Sequence, residues 1–169
     1  LNEYELKERN IKDIAYVDHD IDVPDITEFY LDSSGSMYMD AGNFGFNDGS
    51  SWDMLSHVMY GFADALYQGG KAVGKKPQLR IHNFADSQKS SEEIPVEEFW
   101  KGNPDALRVL FKPENGYNVE DLNIASYADG KKRAYVVVTD GNLVLQDRTE
   151  REARKMKQLA QSPNNDVLL

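Results

Sequence analysis

Residues 26–36 constrain the fold of this chain more than any other segment, because an apolar stretch runs directly into small oxygen-bearing side chains. Residues 26–31 (Ile-Thr-Glu-Phe-Tyr-Leu) predict a buried β-strand. Asp32, Ser34 and Ser36 follow at alternate positions, so their side chains can converge on one side of the backbone. One carboxylate and two hydroxyls are hard oxygen ligands of the kind that suit Mg2+ or Mn2+. The segment therefore predicts a strand that ends in a metal-binding loop.

A second buried strand is predicted over residues 134–139, where Tyr-Val-Val-Val at 135–138 is a continuous run typical of a parallel strand covered on both faces. Thr139-Asp140-Gly141 ends this strand, so Asp140 is another carboxylate at a carboxyl end. Strand and helix patterns alternate along the chain, which is the signature of a doubly wound α/β domain with a mostly parallel sheet. In such domains ligands bind beyond the carboxyl ends of the strands.

The other predicted elements complete this alternation. An amphipathic helix is predicted from Ser50 or Ser51 to about Gly69-Gly70, with Asp53 in its first turn. A hairpin is predicted from strands at residues 79–84 and 87–94, and helices at residues 95–100, 104–111, 119–128 and 148–161. Residues 1–25 are predicted to be a charged arm or, at 14–17, an edge strand, and residues 26–169 are predicted to form one α/β domain.

The composition of the chain argues against several classes of function. The chain has 169 residues and a formal net charge of -10, which opposes binding to nucleic acid or to an anionic membrane. With no cysteine, it has no disulfide, no thiolate zinc site and no cysteine nucleophile. No apolar run approaches the roughly 20 residues that span a bilayer. Because the chain begins with Leu1 and ends in apolar residues where a strand should start, we expect it to be part of a longer protein.

The two strand-end motifs, Leu-Asp-Ser-Ser-Gly-Ser-Met at residues 31–37 and Val-Val-Val-Thr-Asp-Gly at residues 136–141, resemble those of the von Willebrand factor A family and its metal-ion-dependent adhesion site. The resemblance extends over about residues 26–169 in motif order and in the alternation of strands and helices. It implies a metal-dependent protein-protein interaction module, in which an acidic residue of a partner completes the coordination of the ion.

The resemblance also implies a set of metal ligands. Ser34 and Ser36 would bind the ion directly, Asp32 directly or through water, and Asp140 mostly through water. The family usually has a threonine between the two motifs, in a Gly-Gly-Thr type of loop, where this chain has Tyr117 or Asn118. A tyrosine hydroxyl lies too far from its backbone to replace threonine simply, whereas the Asn118 amide oxygen is a reasonable ligand.

Other functions are compatible with parts of the pattern. An isolated Asp-x-Ser-x-Ser would more often be a local turn, and the second motif favours metal binding here. The alternative function is a metal-dependent hydrolase or phosphatase that uses Asp32 or Ser36. A dehalogenase-type phosphatase would have a second aspartate at Ser34, and a serine hydrolase with Ser36 and His57 or His82 lacks support from their positions. We therefore expect a binding module rather than an enzyme.

The resemblance further suggests where such a module works. Extracellular adhesion modules commonly carry disulfides and signal sequences, and this sequence contains neither. Intracellular members work beside AAA+ ATPases or inside larger assemblies. We therefore expect a cytoplasmic protein whose partner, supplying an Asp or Glu ligand, belongs to an assembly such as an AAA+ ATPase complex.

Overall fold

The structure, a computed structural model, describes residues 22–38, 51–111, 122–139 and 147–168. Within these ranges the strands are β1 (Ile26–Asp32), β2 (Gln78–Phe84), β3 (Gln88–Ser90), β4 (Ile94–Pro95), β5 (Arg133–Val138) and β6 (Asn165–Leu168). The helices are α1 (Ser51–Val73), α2 (Val96–Trp100), α3 (Pro104–Phe111) and α4 (Asp147–Ala160), and a 3-10 turn (Gly35–Tyr38) follows β1. The described residues thus form an α/β fold.

The six strands form one mixed sheet of mostly parallel strands. Its order is β3-β2-β1-β5-β6, with β4 beside β2. β1 pairs in parallel with β2 on one side and with β5 on the other, and β6 pairs in parallel with β5. β3 and β4 run antiparallel to β2. From β1 the sheet therefore extends through β2 to β3 on one side and, after a crossover, through β5 to β6 on the other.

This strand order creates a topological switch point between β1 and β5, because strands that precede β5 in the chain lie on one side of it and β6 lies on the other. Leu31 of β1 is paired with Val138 of β5, so the two strands end level with each other. In open α/β sheets a crevice opens at such a point, beyond the carboxyl ends of the strands. The residues that follow Leu31 and Val138 are therefore the ones placed to form a site.

Two apolar clusters divide the core according to the alternation of side chains along the strands. Phe29 and Leu31 of β1 belong to one cluster, together with buried residues of α1, α2 and α3. Tyr30, the residue between them, belongs to the other cluster, which contains Met156 and Leu159 of α4. Every residue of β1 is buried, so this strand lies at the centre of the domain.

Most of the predicted elements within the described ranges are confirmed. The strands predicted at 26–31, 79–84 and 134–139 are β1, β2 and β5, and the predicted return strand of the hairpin is β3 followed by β4. The helices predicted at 95–100, 104–111 and 148–161 are α2, α3 and α4, and the terminal apolar residues lie in or next to β6. The edge strand predicted at 14–17 lies outside the described residues.

The predicted end of α1 at Gly69-Gly70 is wrong, because the helix continues to Val73. Gly74, with φ of 69°, follows the helix and adopts the left-handed conformation that commonly ends one. Gly70 has a packing role instead: a Cβ atom there would lie 2.5 Å from Cδ of Pro77. The glycine allows the last turns of α1 to lie against the segment that leads into β2.

The helix predicted at 119–128 is wrong for residues 122–128, which are irregular. Two of their backbone donors bind side chains of the sheet rather than carbonyl groups one helical turn earlier. The Ala125 N–H donates to the Tyr30 hydroxyl at 3.0 Å, and the Asn123 N–H donates to Gln88 Oε1 at 3.0 Å. Burial of Leu122 and Ile124 in the cluster with Tyr30 favours this irregular course over a helix.

Candidate metal centre

Asp32, the last residue of β1, is held in place by hydrogen bonds from two other residues of the candidate site. Its side chain is 0% exposed, and both carboxylate oxygens accept hydrogen bonds. Oδ1 accepts from the Ser34 N–H at 2.9 Å, and Oδ2 accepts from the Thr139 hydroxyl at 2.7 Å. Because an ionised carboxylate can accept about four hydrogen bonds or metal contacts, these two contacts orient Asp32 and leave lone pairs for an ion.

The hydroxyl groups of Ser34 and Ser36 lie side by side in the loop after β1. Their Oγ atoms are 3.1 Å apart. Two neighbouring ligands of an octahedral Mg2+ ion, each at its usual 2.0–2.1 Å, lie about 2.9 Å from each other. The spacing of the two hydroxyls therefore fits adjacent positions in the coordination shell of a small divalent cation. Asp32 adds the negative charge that two neutral hydroxyls lack.

The loop that carries these hydroxyls is anchored at both ends. Ser33 binds the carbonyl oxygen of Phe84, at the end of β2, through its N–H at 3.0 Å and its hydroxyl at 3.2 Å. The 3-10 turn is closed by the Met37 N–H, which donates to the Ser34 carbonyl at 3.1 Å, and the Met37 side chain is buried in the core. Ser34 and Ser36 are thus held against the edge of the sheet.

Thr139 joins the two motifs, and sequence reasoning did not assign it to the site. It directly follows β5, so its contact with Asp32 bridges the switch point between β1 and β5. The available signal was its position beside Asp140 at a strand end. The predicted ligands Asp140 and Asn118, and the alternative Tyr117, lie outside the described residues.

The described part of the site is poor in charged ligands. In the ranges that the structure describes, no three His, Cys, Asp or Glu side chains are grouped so that they could hold a metal ion. Asp32 is accompanied by hydroxyl groups, and such a ligand set leaves most of the charge of a divalent cation uncompensated. This chemistry differs from a calcium loop, in which several carboxylates surround the ion.

Comparison of the chain with models of protein families, with curated proteins and with solved structures gives no match. A functional site is therefore indicated by the position of four residues at the switch point (Asp32, Ser34, Ser36 and Thr139), by their hydrogen bonds and by the burial of Asp32 and Ser34. Among the described helices, none is both long enough and apolar enough to cross a bilayer.

Proposed function

We propose that this chain is a metal-dependent protein-binding module of the von Willebrand factor A type. In this proposal a Mg2+ or Mn2+ ion is held by Asp32, Ser34 and Ser36 and captures a carboxylate from a partner protein. The observation that carries the proposal is the position of the Asp32 carboxylate, bonded to the Ser34 N–H and the Thr139 hydroxyl at the carboxyl ends of β1 and β5, in the same loop as the paired Ser34 and Ser36 hydroxyls. The chemistry and spacing of the three oxygen-bearing side chains support a small divalent cation.

Each residue has a distinct role in the proposal. Asp32 contributes the charge, and its orientation is set by the Ser34 N–H and the Thr139 hydroxyl. Ser34 and Ser36 contribute neutral ligands, so the bound ion remains electrophilic and attracts an Asp or Glu side chain from outside. The resemblance adds Asp140 and Asn118 to the ligand set.

We further infer a doubly wound architecture, with helices on both faces of the sheet. The two apolar clusters support it, because adjacent residues of β1 belong to different clusters and the clusters include different helices. The proposed setting is a cytoplasmic assembly, for which an AAA+ ATPase complex is our leading candidate. The net charge of -10 supports a bridging cation as the means by which this acidic protein attracts another acidic group.

The first test is thermal unfolding of the protein in Mg2+ or Mn2+ and in chelator. At a Mg2+ concentration 100 times the dissociation constant, binding to the folded state alone adds about 2.7 kcal/mol. For a chain of this size that corresponds to an increase in Tm of roughly 5–10 °C. Asp32→Ala, Ser34→Ala and Ser36→Ala should reduce or abolish the increase.

Ser33→Ala is the matched control, because the Ser33 hydroxyl donates to the Phe84 carbonyl and is not among the proposed ligands. This variant should be less stable than the wild type in chelator but should keep the full increase in Tm with Mg2+. No response of the intact protein to either ion would refute the metal site.

The second test is capture of a partner from a cell lysate. Partner binding should require both Mg2+ and Asp32, and it should be lost on chelation or in the Asp32→Ala variant. Capture that is equally strong in chelator would show that the partner binds elsewhere, even if the ion binds as proposed.

A further inference from the structure

A second polar cluster lies across three adjacent strands and contains a serine, a histidine and a glutamate in hydrogen-bonded series. The Ser90 hydroxyl of β3 is 2.7 Å from His82 Nδ1 of β2, and His82 Nε2 is 2.8 Å from Glu28 Oε2 of β1. Glu28 is 0% exposed and His82 is 3% exposed, whereas Ser90 is at the surface. This series places a hydroxyl that solvent can reach in front of a buried imidazole.

The partners of Glu28 determine which nitrogen of His82 carries the proton. Glu28 Oε1 forms an ion pair with the guanidinium group of Arg133, which is buried with it and always charged. A carboxylate in such a pair is an acceptor only, so it accepts the hydrogen of His82 Nε2. In the neutral imidazole Nδ1 is then unprotonated, and it accepts a hydrogen bond from the Ser90 hydroxyl.

Several contacts hold this arrangement rigid. Arg133 also donates to Asp129 at 2.6 Å, and this hydrogen bond lowers the pKa of Asp129. The guanidinium group lies over the ring of Tyr127, 3.8 Å from its centroid. The ring of Tyr30 stacks on the imidazole of His82 with 4.3 Å between centroids. The imidazole therefore has little freedom to turn away from Ser90.

The register of the hairpin exposes the backbone of Ser90. The Ser91 N–H donates to the Ile81 carbonyl and the Ala85 N–H donates to the Ser87 carbonyl, so these two pairs occupy hydrogen-bonded positions of the ladder. Hydrogen-bonded and non-hydrogen-bonded pairs alternate in antiparallel strands, which makes His82 and Ser90 a non-hydrogen-bonded pair. The N–H of Ser90 consequently points away from β2, where it can donate to the oxyanion of a substrate attacked by its own hydroxyl.

The neighbouring serine, Ser91, has a structural role and provides a comparison for Ser90. Ser91 is buried, its hydroxyl accepts from the Ile81 N–H at 3.0 Å, and it donates to the Glu92 carbonyl at 2.8 Å. That hydroxyl satisfies backbone groups. The Ser90 hydroxyl instead lies at the surface and contacts a base whose tautomer is fixed by a carboxylate.

We propose that Ser90 is an activated nucleophile that reacts with small carboxylic esters, with His82 as its general base and Glu28 as the positioning residue. Ser90 Oγ forms a bond to the acyl carbon while its proton passes to His82 Nδ1. The bond between the acyl carbon and the alkoxy oxygen then breaks, and the leaving oxygen takes that proton. Water, activated by the same nitrogen, releases the acid and restores the serine. This site shares no residue with the metal centre, so either proposal can fail alone.

The first experiment uses the absence of cysteine from the chain, which makes Ser90→Cys the sole thiol of the variant. The rate of alkylation by iodoacetamide is measured against pH, with Ser87→Cys in the same hairpin as the matched control. An ordinary thiol titrates near pH 8.5, and a thiol paired with an imidazole titrates lower. We expect the inflection for Ser90→Cys to fall at least about one pH unit below that of Ser87→Cys.

Adding Glu28→Gln to the Ser90→Cys variant should return the inflection towards that of the control, with a melting curve to confirm that this double variant is folded. If the double variant does not fold, the comparison of Ser90→Cys with Ser87→Cys still tests whether His82 activates residue 90. Equal inflections for those two thiols would overturn the proposal.

The second experiment treats the wild-type protein with a fluorophosphonate probe and locates the adduct by peptide mass spectrometry. We expect an adduct on Ser90 that is absent from Ser90→Ala, retained in Ser87→Ala and unaffected by chelator. Hydrolysis of p-nitrophenyl acetate should follow the same pattern. Absence of an adduct on Ser90, or equal labelling of other exposed serines, would overturn the proposal.

Discussion

Replacing Thr139 with valine tests the contact that joins the two halves of the candidate metal centre. The substitution keeps the β-branched shape and removes only the hydroxyl that donates to Asp32 Oδ2 at 2.7 Å. A hydrogen bond to a charged group contributes about 1.5–3 kcal/mol, and its loss leaves a carboxylate that is 0% exposed with one donor fewer. Because Thr139 is only partly buried, water can replace some of the interaction, and we expect a loss of about 1–2 kcal/mol.

Thr27→Val is the matched control, since it makes the same chemical change in β1, the strand that ends in Asp32. Thr27 is 2% exposed, and its hydroxyl has no hydrogen-bond partner among the described residues. Removing a buried hydroxyl without a partner eliminates a desolvation cost without breaking a bond. We therefore expect Thr27→Val to be neutral or to stabilise the protein by about 1 kcal/mol.

Urea unfolding in chelator, followed by circular dichroism, gives the free energy of unfolding of both variants. The expected difference between them is about 2 kcal/mol, well above the error of comparing midpoints at equal slope. In Mg2+ the difference should increase, because a carboxylate that is free to turn holds the ion less well. Equal effects of the two substitutions would refute the role of Thr139 in orienting Asp32.

Two further predictions concern the packing and ionisation of the core. Gly70→Ala should destabilise the protein by about 1–3 kcal/mol, because the added Cβ would overlap Pro77. Gly61→Ala should stabilise α1 by about 1 kcal/mol, because no atom beyond the neighbouring helix backbone lies within 4 Å of the added Cβ. Thermal unfolding should therefore give a lower Tm for the first variant and a higher Tm for the second. Burial raises the pKa of Tyr135 to about 12, so the folded state retains this proton above the ordinary pKa of 10.0. The contribution of Tyr135 to stability is complete below pH 10, and about 2–3 kcal/mol of it is lost as the pH rises towards 12. In urea unfolding, the free energy of unfolding of Tyr135→Phe should not show this decrease between pH 10 and 12.

The central strands and the first motif could be predicted because their signals are local. β1 and β5 consist mainly of apolar and β-branched residues, Asp32 is the last residue of β1, and Ser34 and Ser36 follow within four positions. Their hydrogen bonds also join near neighbours, such as the Ser34 N–H and Asp32 Oδ1. Local spacing was enough to place these groups together before any tertiary contact was known.

The features that could not be predicted depend on contacts between distant segments. Thr139 meets Asp32 only because Leu31 and Val138 are paired, although 107 positions separate the two bonded residues. A helix is predicted over residues 119–128, but in residues 122–128 the Tyr30 hydroxyl and apolar burial against the sheet favour an irregular course. Tertiary contacts outweigh local propensity in both cases.

Glu28 gives a physical reason for the strand register on which the candidate metal centre depends. It is a charged residue in the middle of a fully buried strand. Arg133 on one neighbouring strand compensates its charge, and His82 on the other forms a hydrogen bond with it. A slip of one residue in β1 would turn Glu28 towards the apolar cluster that contains Phe29, where an unpaired charge costs several kcal/mol. We infer that this buried network specifies the alignment of β2, β1 and β5. The same alignment brings Asp32 level with Thr139, so the position of the candidate metal centre depends partly on Glu28, a charge buried four residues before Asp32.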